Sequence, residues 1–166
     1  GVAVRDIERG GDWPYHGPGQ LVAYAIVDLT RRRLRVPCFV AGLEDAMAET
    51  VYAVLDDLGL DRGELARVPR PDAPGTWFAA GDGPAMKVGA VGVHIRRSVP
   101  LHGLALNLAP DPWGFAWIVP CGLPGQVTTS VARIATALGS SSSLPSLETV
   151  ASSLVGRLPA AWAARA

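Results

Sequence analysis

Two side chains in this 166-residue chain could do covalent chemistry together: Cys121, in Pro-Cys-Gly-Leu-Pro-Gly (120–125), and Lys87, in Met-Lys-Val-Gly-Ala-Val-Gly (86–92). Only a thiolate is a strong nucleophile, so Cys121 would need a base or a cation close by. Pro120 removes a ladder donor and Gly122 permits a turn, which together could expose the sulfur beside free backbone amides. Lys87 is the only lysine among 15 basic residues, the rest being arginine. Strict alternation along a strand puts Lys87 on the face of Gly89, Val91, Val93 and Ile95. If that face is covered, desolvation disfavours the ammonium form, and the amine can take a proton as an arginine cannot. The plainer readings are a small buried thiol and a strand-end lysine reaching for water.

Other chemistries have less to stand on. His16, His94 and His102 allow a Cys–His dyad or a Cys–His–His zinc site to be weighed against the Cys–Lys pair. His102 alternates with Leu104 and Leu106, which marks it as half-buried and hydrogen-bonded rather than metal-bound. There is no His-Glu-x-x-His and no closely spaced cysteine pair, so no metal is expected. No P-loop and no Gly-x-Gly-x-x-Gly supports nucleotide binding. Glu44, Asp45, Asp56 and Asp57 read as a solvated helix face without an acid/base pair. A formal net charge of zero argues against nucleic acid and anionic membranes as partners. No apolar run approaches the ~20 residues of a membrane span. Two distant cysteines, Cys38 and Cys121, suit reduced thiols in a cytoplasm.

The elements that must bring Lys87 and Cys121 together are legible in outline. Residues 21–29, "LVAYAIVDL", form a continuous apolar run that predicts a strand buried on both faces, after the Gly/Pro-rich loop 9–20. From about Pro37 a helical pattern places Leu43, Met47, Val54, Leu55 and Leu58 on one face, with Gly59 as its stop. Three prolines keep 67–75 irregular. A strand from about Trp77 should turn back through 80–84. Residues 86–95 and 101–109 read as paired strands joined near Ser98–Pro100, and 114–121 as another strand. Thr129–Leu138 fits a helix with Val131, Ile134, Ala135 and Leu138 inward. A serine-rich joint at 139–143 leads to a last helix carrying Leu147, Val150, Ala151, Leu154 and Leu158. The pattern predicts an α+β fold, a mixed and largely antiparallel sheet flanked by helices, in one domain.

Five blocks, "RGGDWPYHGPGQLVAYAIVDL", "GTWF", "MKVGAVGVHI", "LHGLALNL" and "PCGLPGQVTTS", occur in an order and spacing that resembles the lipoyl(octanoyl) transferase family, over roughly residues 5–140. The resemblance implies the catalytic-domain fold of biotin and lipoate protein ligases. It also implies transfer of an octanoyl or lipoyl group from acyl carrier protein to a lysine of a lipoyl domain, through an acyl-cysteine. The acceptor would be a lipoyl domain of a 2-oxoacid dehydrogenase complex or the glycine cleavage H protein. No cofactor is implied, and the chain is expected to act as a cytoplasmic monomer. Position by position, Cys121 matches the acyl-accepting cysteine and Lys87 the lysine that activates it. Arg9, Gly10, Gly11, Asp12, Trp13, Pro14, Tyr15 and His16 match the substrate-binding loop. Ala90, Val91 and Gly92, then Gly103, Leu104 and Ala105, match two further substrate-binding triplets. Pro14 stands where threonine is common, removing a hydroxyl and an amide; Ala23 and Ala25 stand where glycine and proline are usual. The family has further chain before the Arg-Gly-Gly block, so residues 1–166 are expected to be one catalytic domain lacking an N-terminal segment. Small residues Gly89, Ala90, Gly92, Gly103 and Ala105 would leave a slot for an unbranched alkyl chain. Rival readings are an ATP-dependent lipoate or biotin ligase, and a non-catalytic acyl- or protein-binding module of the same fold.

Overall fold

The computed structural model describes residues 15–111 and 127–165. Its elements run β1 (Gln20–Ala23), α1 (Val36–Asp57), β2 (Leu65–Arg67), β3 (Gly75–Ala80), β4 (Met86–Arg96), β5 (Val99–Asn107), β6 (Val127–Thr128), α2 (Val131–Ala137) and α3 (Leu147–Ala163). The sheet order is β1-β5-β4-β3-β2, all antiparallel, with β6 pairing parallel to β4. The mixed, largely antiparallel α+β architecture is as the sequence predicts.

The first helix forms because its apolar residues recur at helical spacing: Phe39, Leu43, Met47, Val51 and Leu55 are all buried. Pro37 suits the first turn, where a missing N–H costs nothing. Gly59, at φ 68°, ends the helix: its N–H donates to the Asp56 carbonyl (2.9 Å) and that of Leu60 to the Leu55 carbonyl (3.0 Å). The second helix closes the same way, through Gly139 on Thr136 and Ser140 on Ala135. Ser146 caps the third by accepting the Thr149 N–H (3.2 Å). Helices α1 and α3 meet where Trp162 stacks on Phe39, ring centroids 5.4 Å apart, and donates its indole N–H to the Phe39 carbonyl (3.2 Å). The core lies between these helices and one face of the sheet, with Val88, Leu104 and Leu106 contributed from the strands.

Two expectations need correction. The run 21–29 is not a strand buried on both faces: β1 is a four-residue edge strand, and Val22, Tyr24 and Ile26 stand exposed while Leu21, Ala23, Ala25 and Val27 pack on the core. Only one of its faces lies against the core, so alternate residues of the apolar run pack there and the others meet solvent. Glu44 and Asp45 are not solvated: both are half-buried and held by Arg67, while Arg165 holds Asp45. The strand expected at 114–121 lies outside the described residues.

Candidate functional site

Lys87 sits near the start of β4, 6% exposed. Its Cα partner on β3 is Trp77, whereas Gly89 pairs with Thr76, so Val88 is an extra residue opposite the Thr76–Trp77 step. This β-bulge reverses the alternation. Thr76 turns its hydroxyl to the Glu44 carbonyl on α1 (3.0 Å), and Gly89 faces the Met47 sulfur of the same helix, so both look into the helix layer. Lys87 and Trp77 look the other way. The expectation that Lys87 shares a face with Gly89, Val91, Val93 and Ile95 is therefore overturned. Beyond the bulge pairing is regular, and the Lys87 face carries Ala90, Gly92, His94 and Arg96 from β4, with Ala105, Gly103 and Leu101 as their β5 partners.

The surroundings of Lys87 fix its stem. A Cβ on Gly75 would lie 2.7 Å from the lysine Cε and 2.3 Å from the Gly89 carbonyl oxygen, and Gly75 sits at φ 145°, so no larger residue fits below the amine. The Gly75 N–H donates to the Glu44 carboxylate (2.7 Å), which ties this floor to α1. Burial raises the Glu44 carboxyl above its ordinary value, the Gly75 hydrogen bond and Arg67 opposing it only in part. The ammonium lies 5.2 Å from the Trp77 ring centroid, and the Trp77 indole N–H is spent on the Ala73 carbonyl (2.9 Å).

A chain of hydrogen bonds links three segments that the sequence singles out. His16 donates from Nδ1 to the Gln20 amide oxygen (3.1 Å), and Gln20 donates to the Asn107 amide oxygen (2.8 Å). Asn107 donates to the Thr129 carbonyl (3.0 Å), and the Thr129 N–H donates to the Lys87 carbonyl (2.9 Å). Gln20 Oε1 can only accept, so the neutral imidazole of His16 must carry its proton on Nδ1. Asn107 is 5% exposed and Thr129 6%, so each lost bond would strand a buried polar group. Here β5 ends, and β6 takes its place beside β4 with Thr128 opposite Lys87. The chain that follows Cys121 thus re-enters the sheet at Lys87.

Of the expected site residues, Lys87, Ala90, Gly92, Gly103 and Ala105 share one face. Val91 and Leu104 point into the helix-side core. Tyr15 folds over Gly17, and His16 joins the relay. The expected alkyl slot is narrower than drawn from sequence: Met47 fills the space at Gly89, and the Ala23 carbonyl fills that at Gly103, where a Cβ would lie 2.1 Å from it. His102 is half-buried at φ 63°, its ring edge-on to Tyr24. Cys121, and Arg9 to Pro14, lie outside the described residues. Among the described residues no group of three or more His, Cys, Asp or Glu side chains could hold a metal ion, and no helix is long and apolar enough to cross a membrane. Sequence reading gave no site role to Gln20, Gly75, Trp77, Asn107 and Thr129, although each lies in one of the five blocks; the alternation of Asn107 with Gly103 and Ala105 places its amide on the Lys87 face.

The chain is 46% identical over 127 residues to the octanoyltransferase of Rhizorhabdus wittichii, covering 76% of this chain and 52% of that protein. It is 46% identical over 134 residues to that of Acidiphilium cryptum (78% and 55%), and 39% identical over 158 residues to that of Burkholderia orbicola (95% and 57%). It spans about half the length of these curated relatives. The profile of the lipoyl protein ligase A/B catalytic domain matches residues 1–155, and the chain belongs to that family.

Proposed function

We propose that this chain catalyses octanoyl transfer through an acyl-Cys121 thioester, with Lys87 as its proton carrier. The observation that carries the reading is the buried amine of Lys87, opposite Thr128, in the strand that follows Cys121 by six residues. The relatives named octanoyltransferase supply the acyl group. The neutral amine of Lys87 takes the Cys121 proton, and the thiolate adds to the carbonyl carbon of an octanoyl thioester on acyl carrier protein. The carrier thiolate leaves and takes the proton back from Lys87. A neutral lysine amine of a lipoyl domain then adds to acyl-Cys121, the Cys121 thiolate departs, and the proton lost by the amine passes through Lys87 to that sulfur, which restores the thiol. Thioester exchange is close to isoenergetic and amide formation is downhill, so no ATP is consumed. The Ala90, Gly92 and Ala105 surface beside Lys87 suits an unbranched chain, each buried methylene contributing about 0.8 kcal/mol.

Incubation with octanoyl carrier protein, without ATP, is expected to add one octanoyl mass to Cys121. Lys87→Arg keeps the charge but cannot carry the proton, so acylation should slow by about 10²–10⁴-fold. Transfer by Cys121→Ala, an absolute need for ATP, or near-normal Lys87→Arg would each reject the mechanism.

A further inference from the structure

The end of the sheet away from Lys87 concentrates charge that this chemistry does not use. The turn after β1 and the β4–β5 turn are joined by the Leu29 N–H on the Ser98 carbonyl (2.9 Å) and by the Thr30 hydroxyl on Ser98 Oγ (2.9 Å). Together they expose Arg31, Arg32, Arg33, Arg35, Arg96 and Arg97. Among the described residues none of these six is ion-paired, whereas Arg62, Arg67, Arg70 and Arg165 each hold a carboxylate. Asp28, the nearest acid in sequence, accepts the Arg31 backbone N–H (2.9 Å). Six of the 14 arginines thus gather at one end of the sheet. Arg33 and Arg97 also adopt left-handed backbone, φ 53° and 50°, a conformation that strains an L-residue and that glycine would take freely. Beside them Ile26 is 77% exposed and Tyr24 58%.

Unpaired arginines framing exposed apolar and aromatic side chains are the composition of a protein-docking surface. A phosphate backbone would use the guanidiniums and leave Tyr24 and Ile26 idle. We propose that this surface docks the acidic protein that delivers the acyl thioester, an inference resting on the transferase reading. Arg96 lies on the Lys87 face, nine residues along β4 and so about 30 Å away. A donor protein seated on the arginines covers part of that gap with its own body, and the flexible arm that carries its thioester covers the rest. An acceptor lysine, one side chain long, needs its protein body next to Lys87, so the distant platform fits the donor.

Two donors separate this role from a structural one: octanoyl carrier protein, and the octanoyl thioester of N-acetylcysteamine, which has no protein part. Arg31→Glu/Arg96→Glu should raise KM for the carrier by about tenfold and flatten its salt dependence, with kcat unchanged. The small thioester should acylate Cys121 in this variant as in the wild type. Equal losses with both donors, an unchanged carrier KM, or an effect confined to the acceptor's KM would overturn the proposal, as would wild-type binding of RNA in preference to carrier. Titration with a carrier bearing an octanoyl amide reads docking without chemistry and should weaken about tenfold in the variant. Salt-sensitive binding of that analogue by a wild-type chain that forms no acyl-Cys121 from either donor would reject the transferase reading and leave the docking surface standing.

Discussion

Asn107 carries more of the site than its size suggests, because its two amide atoms bind different segments. Its oxygen accepts from Gln20 and its nitrogen donates to the Thr129 carbonyl, next to the residue that pairs with Lys87. Asn107→Asp keeps the first bond and sets two oxygens against each other at the second. If Asn107 positions the β6 segment, Asn107→Asp and Asn107→Ala should both lower kcat about 10- to 100-fold while leaving KM for the carrier unchanged. A rise in KM with kcat intact would mark the residue as part of a binding surface instead. Residue identity was readable in the sequence at Lys87 because a solitary lysine among arginines stands out. Its orientation was not, because one bulged residue inverts the alternation and leaves no trace in the hydrophobic pattern.

Among the elements, α1 does two jobs: it buries one side of the sheet and anchors the floor below Lys87 through Glu44. Glu44→Gln retains an oxygen for the Gly75 N–H and should cost little stability, whereas Glu44→Ala strands that N–H and should cost about 1–3 kcal/mol in urea unfolding. The neighbouring acids titrate oppositely. Burial works against the Asp45 charge, yet the hydrogen bonds from Arg165 and Arg67 outweigh it and hold the carboxyl below its ordinary value. A depressed carboxyl stabilises the fold above its unfolded value, near 3.8, and that contribution is lost as pH falls through the folded one. Glu44, raised, has the reverse sign: its protonated form favours the fold at low pH, and this is lost as pH rises through its folded value. The stability gap between wild type and Asp45→Asn should therefore be constant near neutrality and close below about pH 4. Helix α1 and the β4–β5 pair were legible from period and turn chemistry alone. The split roles of Glu44 and Asp45 were not, since their partners Arg67, Gly75 and Arg165 come from distant parts of the chain.

At the scale of the molecule, the sheet separates its tasks along one direction. Lys87 lies where β5 gives way to β6, and guanidiniums that hold no carboxylate among the described residues gather at the opposite turns. Zero net charge, read from composition, argues against nucleic acid and anionic membranes as partners, but it says nothing of the arginines that the fold gathers at one end, because a sum carries no placement. The single residue inserted at Val88 has a further consequence. Deleting it would set Lys87 directly before Gly89, in regular register with Trp77 and Thr76, so the amine would keep its face while the core lost one fully buried valine. A one-codon deletion there should lower the urea midpoint and still allow the acyl adduct to form, and an adduct lost while far-ultraviolet dichroism is retained would reject this reading of the bulge. The irregularity then serves the interior: two successive residues, Val88 and Gly89, meet the helices while the opposite surface is left as it is.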